Sequence, residues 1–304
     1  MQPEKKLIII IGPTAAKKSR LAHLIAERFQ GSVINGDAYQ VYKEISAGIN
    51  KPTQEEIEKY DYHLVNLISW NEEWSIAHFQ KAFDNAYDEI VQRQRLPILC
   101  GGSHLYTDAI INGYDLSIDT TPYETEIANW TIEELYAYVL KYDPVSAEKI
   151  GPNNYKRLFR CVALLKANNN IPKSVTDLQN NKPVYKPLII MVTKDRQVLY
   201  DKINARFDRF FSENNWMEEI QQLIEKDPAI IESLCFKAIG YQEIANSILN
   251  HTPVDTEKLK QKTRQLAKRQ LTWCNNKFPD KLVFEFEKDD LEEIFAKVQE
   301  FYYD

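Results

Sequence analysis

The stretch LIIIIGPTAAKKSRLAHLIAERF, residues 7–29, joins a run of apolar residues to a helical pattern through a short polar loop. The run at 7–11 is rich in β-branched residues and ends at Gly-Pro, which is typical of a buried parallel strand. Apolar residues then recur at helical spacing between Leu21 and Phe29. The order of strand, loop and helix predicts a phosphate-binding loop.

The loop GPTAAKKS, residues 12–19, departs from the pattern G-x-x-x-x-G-K-[ST] at one fixed position, because Lys17 replaces the second glycine. In such a loop the backbone N–H groups surround phosphate oxygens, Lys18 neutralises them and Ser19 holds Mg²⁺. The Lys17 side chain either crowds the phosphate or points outward and adds a positive charge near it. The alternative to a phosphate site is a Gly-Pro turn that only caps the helix.

Two more strands are predicted at 32–36 and 96–102, each ending in polar or glycine residues. Asp37 follows the first strand, and Gly101-Gly102-Ser103 ends the second. Helices are predicted at 75–94, with Ser75 as a cap, and at 103–111. This alternation indicates an open parallel sheet, in which ligands bind beyond the carboxyl ends of the strands. We therefore predict an α/β fold with a P-loop NTPase-like parallel sheet core.

The pattern changes to short helices between 115 and 182, which we interpret as a helical insertion. Helices are predicted there at 132–142, 144–149 and 153–167, followed by a connection rich in Asn and Pro. Beyond it we predict a strand at 187–192 and helices at 195–213, 216–226 and 256–275. The expected domains are 1–114 with 183–304 as the catalytic core with C-terminal helices, and 115–182 as the insertion.

Composition restricts the class of protein. The 304 residues are 44% hydrophobic and 27% charged, which is a globular composition. No apolar run approaches the roughly 18 residues that span a bilayer. Four scattered cysteines favour a reducing cytoplasm over a disulfide framework or a zinc site. The net charge of -6 argues weakly against nucleic acid, but residues 256–281 carry eight Lys or Arg against two acids. That block is either a footprint for a polyanion or a solvated helix face.

The motifs, taken in order, resemble those of the tRNA dimethylallyltransferases over nearly the whole chain. GPTAAKKS is followed by INGDAYQVYKEISAGINKPT, HLVNLI, LPILCGGSHLY, DPVSAEKIGPNNYKRLFR, RQVLYDKINARFDRF, KAIGYQEI and TRQLAKRQLTW. This family transfers a dimethylallyl group from dimethylallyl diphosphate to N6 of adenosine 37 in tRNA and releases diphosphate. The resemblance implies a cytoplasmic, monomeric enzyme that uses Mg²⁺ and binds the tRNA anticodon stem-loop; the family also carries an ATP-binding label.

The resemblance also implies the residues that carry out the chemistry. Asp37 is the base that receives the proton of the adenine amine, with Ser103 and Lys18 as the other catalytic residues. The alternative for Asp37 is a strand-end carboxylate that binds Mg²⁺ or caps a turn. Arg206 helps to bind diphosphate, or else is a solvated helix residue paired with Asp201 or Asp208. The implied diphosphate-binding set is Gly12, Pro13, Thr14, Ala15, Ala16, Lys17, Lys18, Ser19 and Arg206, with Ser19 as the metal ligand.

An enzyme that modifies a loop base must splay it out, stack it and read its edge. Gln40 is a candidate edge reader, unless it is an ordinary turn residue, and Trp273 either stacks on a base or belongs to the core. Basic side chains would contact phosphates. The implied tRNA-binding set is Asp37, Ala38, Tyr39, Gln40, Lys156, Arg157, Leu158, Phe159, Arg160, Phe236, Gly240, Tyr241, Lys268, Arg269, Gln270 and Trp273.

The chain departs from the family pattern at several places. Besides Lys17, Ala38 replaces a serine, Ile49 replaces a threonine, and the insertion is short between Asp115 and Asp143. Two alternatives stay open, of which Lys17 and the short insertion favour the first, while the missing glycine counts against the second. One is a catalytically impaired homologue that only binds tRNA, and the other is a P-loop nucleotide kinase that uses ATP.

Overall fold

Five parallel strands form the sheet of the molecule. The computed structural model describes residues 4–114, 118–172, 184–212 and 215–303. The strands in spatial order are β2-β3-β1-β4-β5, and every neighbouring pair is parallel. Their bounds are β1 Lys5–Ile11, β2 Gly31–Asn35, β3 Leu96–Cys100, β4 Tyr185–Val192 and β5 Leu282–Phe284. The predicted α/β fold with a parallel sheet is confirmed.

Strand β1 lies at the centre of the sheet because its sequence has no polar face to expose. It pairs with β3 on one side and with β4 on the other, so that Ile8 faces both Ile98 and Leu188. Its last five residues, 7–11, are fully buried. A strand covered on both faces reads as a continuous apolar run, which is the pattern from which it was predicted.

Helices connect and cover the strands. In the described ranges, short 3₁₀ helices lie at Ala47–Ile49, Pro228–Glu232 and Cys235–Lys237. The α-helices are α1 Lys18–Phe29, α2 Gln54–Lys59, α3 Ile76–Gln92, α4 His104–Asn112, α5 Thr121–Glu126, α6 Ile132–Tyr142, α7 Pro144–Ile150, α8 Tyr155–Ala167, α9 Arg196–Ser212, α10 Asn215–Lys226, α11 Tyr241–Leu249, α12 Thr256–Lys277 and α13 Leu291–Tyr303.

The predicted helices and strands are present, but four helices and one strand were missed. Ser75 caps α3 as expected, since its hydroxyl accepts a hydrogen bond of 3.3 Å from the His78 N–H. Helices α2, α5, α11 and α13 and strand β5 were not predicted. Helix α13 lies in an acid-rich segment, and its buried side chains, Ile294, Phe295 and Val298, are interleaved with charged ones. The charges concealed the apolar face.

The chain divides into two compact units, Met1–Asp108 with Tyr185–Asp304 and Ala109–Val184. The second unit is helical and has its own core, which includes Leu135, Val139, Leu158 and Val162. The expected boundaries were 115 and 182, and the expected contact of this unit with tRNA stays a prediction. Asp115 and most of the Asn- and Pro-rich connection lie outside the described residues.

Two observations bear on the environment of the chain. The four cysteines, all within the described ranges, are free thiols, and Cys100, Cys235 and Cys274 are buried. None of the described helices combines the length and the hydropathy that crossing a bilayer requires.

Candidate active site

A cavity of about 430 Å³ opens where the loops after β1, β2 and β3 meet. Its volume lies within the range of small-molecule sites, which is about 300–1,000 Å³. Among the lining residues, Lys17, Lys18, Arg20 and Arg206 are cationic and Asp37 is the one acid. The full lining is Thr14, Ala15, Lys17, Lys18, Ser19, Arg20, Asp37, Tyr39, Gln40, Gly48, Ile49, Asn50, Tyr62, Cys100, Gly101, Gly102, Arg206, Phe207, Ala238, Ile239, Thr263, Leu266 and Gln270.

The loop at 12–19 has the backbone of an anion cradle. Gly12 has φ +138°, and a Cβ at this position would lie 2.1 Å from the Val192 carbonyl oxygen, so that only glycine fits beside the end of β4. Ala15 and Lys17 are both left-handed, with φ of 66° and 71°. Left-handed residues within a tight turn direct backbone N–H groups into one concavity. Lys17 is also the N-cap of α1, so the positive end of that helix adjoins the loop.

The Lys17 side chain points away from the loop toward the segment after β5. Its Nζ lies 3.2 Å from Glu287 Oε1 and 5.8 Å from the centre of the Phe286 ring. Of the two arrangements considered from the sequence, the structure has the outward one. The ammonium group of Lys17 is therefore paired with an acid outside the loop.

Lys18 and Arg206 supply positive charge to the cavity. Lys18 Nζ donates to the Pro13 carbonyl at 2.9 Å, and Arg206 Nη2 lies 3.3 Å from Thr14 Oγ1. Burial lowers the pKa of both groups. Within the described parts of the chain neither forms an ion pair with an acid, and Arg206 Nε is buried without a hydrogen-bond partner. Two buried cations that form no direct ion pair, beside the single carboxylate of Asp37, indicate a site for an anion.

The alternative interpretation of Arg206 as a solvated residue paired with an acid is wrong. Asp208 pairs with Lys260 at 2.6 Å, and Asp201 accepts a hydrogen bond from Gln197 at 2.9 Å. Both acids lie on exposed positions of α9, whereas the Arg206 guanidinium turns into the cavity.

Asp37 faces the cavity from the end of β2. The backbones of Gly36 and Gly101 lie so close together there that a Cβ on Gly101 would be 2.2 Å from the Gly36 carbonyl carbon. Asp37 Oδ1 accepts the Tyr39 N–H at 2.9 Å. Burial raises the pKa of Asp37, and the Tyr39 N–H and the Lys18 charge oppose that rise. A carboxylate with a raised pKa is a stronger base.

Two side chains fix the loop that carries Asp37. Asn35 Oδ1 accepts the Asp37 N–H at 2.9 Å, and Ser103 Oγ accepts the Ala38 N–H at 2.9 Å. Ser103 does not belong to the cavity lining. Its contact gives it a positioning part in the site, and direct contact with substrate stays a prediction.

Gln270 was predicted to contact tRNA, but its side chain lies inside the molecule and holds the cradle. Its Oε1 accepts the Thr14 N–H at 2.8 Å and its Nε2 donates to the Gly102 carbonyl at 3.0 Å. Gln270 is only 6% exposed, on the inward face of α12. The signal for this role is the pair of polar residues, Thr263 and Gln270, at buried positions of a helical pattern.

Ser19 is the described residue best suited to a metal. Its side chain lines the cavity together with Tyr62 and Cys100. The described residues contain no cluster of three His, Cys, Asp or Glu. Mg²⁺ commonly takes one or two protein ligands and completes its shell with substrate phosphates and water. One hydroxyl beside an anion cradle fits that requirement.

The basic residues predicted to bind tRNA are exposed in both units. Lys156, Arg157 and Arg160 lie at the start of α8, where Arg160 pairs with Glu124 at 2.8 Å. Lys268 and Arg269 are exposed on α12 and line, together with Trp273, a groove of about 620 Å³. Tyr39 and Gln40 line the cavity, with Gln40 Nε2 donating to the Asn50 carbonyl at 3.0 Å.

Other members of the predicted tRNA set are packing residues. Phe236, Tyr241 and Leu158 are fully buried, which leaves their side chains without access to RNA. Gly240 lies against Trp216, whose ring would be 2.1 Å from an added Cβ. The structure gives these residues a packing role, and their assignment to tRNA binding stays a prediction.

Trp273 and Phe159 are intermediate cases. Trp273 is partly exposed and stacks on His104 with ring centres 4.4 Å apart, so it combines a packed face with a place in the groove on α12. Phe159 is partly buried and stacks on Tyr155 at 5.8 Å. Contact of either ring with a base stays a prediction.

Comparison with known proteins gives the family. Residues 40–277 match the family model for IPP transferase. The chain is 42% identical over 301 residues to the tRNA dimethylallyltransferase of Malacoplasma penetrans, and the match covers 98% of each chain. The crystal structure of the tRNA isopentenylpyrophosphate transferase of Bacillus halodurans is similar with a TM-score of 0.72 at 31% identity, covering 98% of this chain and 96% of that one. A eukaryotic dimethylallyltransferase acting on tRNA is similar with a TM-score of 0.85 at 26% identity, covering 98% and 80%. The chain belongs to the tRNA dimethylallyltransferase family.

Proposed function

We propose that the cavity transfers a dimethylallyl group from dimethylallyl diphosphate to N6 of adenosine 37 in tRNA. The bond between the allylic carbon and the diphosphate oxygen breaks, and a bond from that carbon to N6 forms. Diphosphate leaves with the electron pair, and the proton of N6 goes to the Asp37 carboxylate. The observation that carries the proposal is that Asp37 shares one cavity with a phosphate cradle containing the unpaired cations Lys18 and Arg206.

The donor's diphosphate occupies the cradle. The loop N–H groups, Lys18 and Arg206 stabilise the negative charge that develops on the leaving oxygen. Ser19 and the diphosphate oxygens would hold Mg²⁺, which supplies further neutralisation of that charge when bound. Gln270 keeps the loop after β1 at a fixed distance from the loop after β3, so that the cradle is formed before substrate arrives.

The five-carbon tail lies against the apolar part of the lining. Ile49, Phe207, Ile239 and Leu266 belong to that part. An apolar wall holds the tail by burial and excludes the water that would otherwise capture the allylic cation.

The acceptor adenine enters beside Asp37 and Gln40. The raised pKa of Asp37 suits it to take a proton from a weakly nucleophilic amine. Exposed Lys268 and Arg269, and Lys156, Arg157 and Arg160 in the second unit, bind backbone phosphates of the anticodon stem-loop. We further propose that the enzyme acts as a monomer in the cytoplasm, where its free thiols persist.

The test combines purified protein, Mg²⁺, dimethylallyl diphosphate and unmodified tRNA with adenosine at position 37. Prenylated adenosine, detected by mass spectrometry and lost in Asp37→Asn, is the expected result. Binding of tRNA without product would favour the impaired homologue. Turnover of ATP with a small phosphate acceptor, in the absence of tRNA, would favour the nucleotide kinase.

A further inference from the structure

Three lysine side chains from three elements surround one carboxylate beside the cradle. Lys17 Nζ lies 3.2 Å and Lys202 Nζ 3.9 Å from Glu287 Oε1, while Lys194 pairs with Glu287 Oε2. Lys17 begins α1, Lys194 follows β4 and Lys202 belongs to α9. The carboxylate of Glu287 therefore connects the phosphate loop to the neighbouring strand and helix.

The segment that carries Glu287 is itself fixed to the sheet. Strand β5 pairs with β4 through Ile190 with Leu282 and Val192 with Phe284. The next aromatic residue, Phe286, lies under two cations of the loop and of α1, at 5.8 Å from Lys17 and 5.0 Å from Arg20. The carboxylate is thus presented to the loop from a rigid support.

Lys17 needs such a support because of its backbone. It adopts φ 71° and ψ 33°, and its side chain makes no capping hydrogen bond to the start of α1. The left-handed conformation costs a residue with a Cβ free energy that glycine does not lose. In this conformation the Lys17 ammonium group contacts the Glu287 carboxylate and the Phe286 ring.

The balance of charge makes Glu287 essential to the cluster. Burial, together with repulsion from Lys17 and Lys194, lowers the pKa of Lys202 to about 8. The Lys194 side chain is 3% exposed, whereas that of Lys17 is 34% exposed. When the carboxylate is removed, Lys194 stays buried, whereas Lys17 and Lys202, each 34% exposed, can turn toward solvent, and of these two only Lys17 belongs to the loop.

We propose that Glu287 is a positioning residue of the diphosphate cradle, which acts by holding Lys17 in the left-handed turn that directs the loop N–H groups into the cavity. The inference rests on the proposed function because it takes diphosphate as the ligand. It explains how this chain keeps a working loop without the second glycine.

The experiment is a double-mutant cycle with Glu287→Gln and Lys17→Gly, measured as KM for dimethylallyl diphosphate and as Kd for inorganic diphosphate. Glu287→Gln in the wild-type background is expected to raise both constants about 5-fold, which corresponds to about 1 kcal/mol, with kcat changed less than about 2-fold. In the Lys17→Gly background the same change is expected to leave both constants unaltered, since glycine adopts the turn unaided.

Two further variants separate positioning from general damage. Glu285 lies two residues from Glu287 and pairs with Lys288 instead of a residue of the loop. Glu285→Gln should therefore leave KM for dimethylallyl diphosphate and Kd for inorganic diphosphate unchanged. Lys17→Met removes the ammonium group but keeps the Cβ and leaves Lys194 paired, so it should match Glu287→Gln even if that variant folds poorly. Melting temperatures should fall in Glu287→Gln with either residue at 17, because Lys194 loses its partner in both.

Each other result decides the question. An equal rise of Kd in both backgrounds would mean that Glu287 acts through the fold and would overturn the proposal. An unchanged or lower Kd in the wild-type background would mean that Glu287 withdraws Lys17 from the ligand, which also overturns it. If the wild type made no prenylated product, the proposed function would be at fault, and the Kd for inorganic diphosphate would still test the positioning role.

Discussion

The loop at 12–19 and the segment at 236–242 were both singled out by family motifs, yet the structure uses them in opposite ways. The loop faces a cavity with backbone N–H groups and cationic side chains. In the segment, Phe236 and Tyr241 are fully buried and Gly240 packs on Trp216, so only Ala238 and Ile239 reach the cavity wall. A motif of equal strength can therefore mark chemistry in one place and packing in another.

The buried segment still matters to the site because it supports the opposite wall. The Tyr241 hydroxyl donates to Glu219 Oε1 at 2.6 Å and accepts the Gly48 N–H at 3.2 Å. The Glu219 carboxylate accepts the N–H groups of Ser46 and Ala47, each at 3.1 Å. The lining residues at 48–50 are thus held from behind by a buried hydroxyl and a carboxylate.

The largest expected effect is on kcat, at the residue proposed as the catalytic base. Asp37→Asn should lower kcat by about 10²- to 10⁴-fold, the usual contribution of a positioned base. Burial raises the pKa of Asp37, so its ionised form disfavours folding at neutral pH, and the variant should melt at a higher temperature. This gain should disappear as the pH falls below the raised pKa, where Asp37 is protonated and neutral like asparagine.

The matched control for that experiment is Asp88→Asn, an exposed carboxylate paired with Lys5 at 2.9 Å. It should change neither kcat nor the pH profile. An Asp37→Asn enzyme with nearly full kcat would remove Asp37 from the chemistry.

The second largest effect is on stability, in the buried segment at 236–242. Gly240→Ala should lower the free energy of unfolding by roughly 3 kcal/mol, the upper end for overpacking, because its Cβ would meet the Trp216 ring. Denaturant unfolding measures it, and kcat per folded molecule should be unchanged. Gly151→Ala is the control, since Gly151 also has positive φ (+74°) but nothing within 4 Å of the added Cβ. It should cost only about 1 kcal/mol, and equal losses at both glycines would contradict the packing argument.

A smaller effect is expected where packing supports the wall. Tyr241→Phe should lower the free energy of unfolding by about 1–2 kcal/mol, because Glu219 and the Gly48 N–H lose a buried partner. Thermal melts would measure this loss of stability. In Tyr241→Phe the fold increase in KM for dimethylallyl diphosphate should be smaller than the fold decrease in kcat in Asp37→Asn. Tyr303→Phe, at an exposed hydroxyl bonded to the Phe29 carbonyl, should be nearly neutral.

The smallest effect is at the predicted tRNA contacts. Lys268→Gln should weaken tRNA binding a few-fold and reduce the slope of log K against log salt by about 1, as expected for one lost phosphate contact. KM for dimethylallyl diphosphate should not change. The control is Lys186→Gln. Lys186 lies at the start of β4 and pairs with Glu4, so its replacement should leave the slope of log K against log salt unchanged. An unchanged slope in Lys268→Gln would remove this residue from the interface.

The sequence predicted those parts of the site that depend on neighbouring residues. The apolar run of β1, the loop and the start of α1 follow one another within 23 residues, so periodicity and motif identify them together. Asp37 and Gly101-Gly102 were placed correctly because the ends of parallel strands meet at one edge. The contacts of Gln270 with Thr14 and of Lys17 with Glu287 span 256 and 270 residues, and no local pattern encodes such pairs. The burial of Tyr241 was not predicted, because a motif does not say which way a side chain faces.

The distance in sequence between the cradle and its supports has a consequence for synthesis on the ribosome. Gln270 on α12 and Glu287 after β5 are made more than 250 residues after the loop residues that they contact. Until those two residues emerge, the Thr14 N–H and the Lys17 ammonium group lack these partners. A nascent chain therefore carries an unfinished cradle while the intervening residues are made, and the cradle is complete only when β5 and the segment after it are in place.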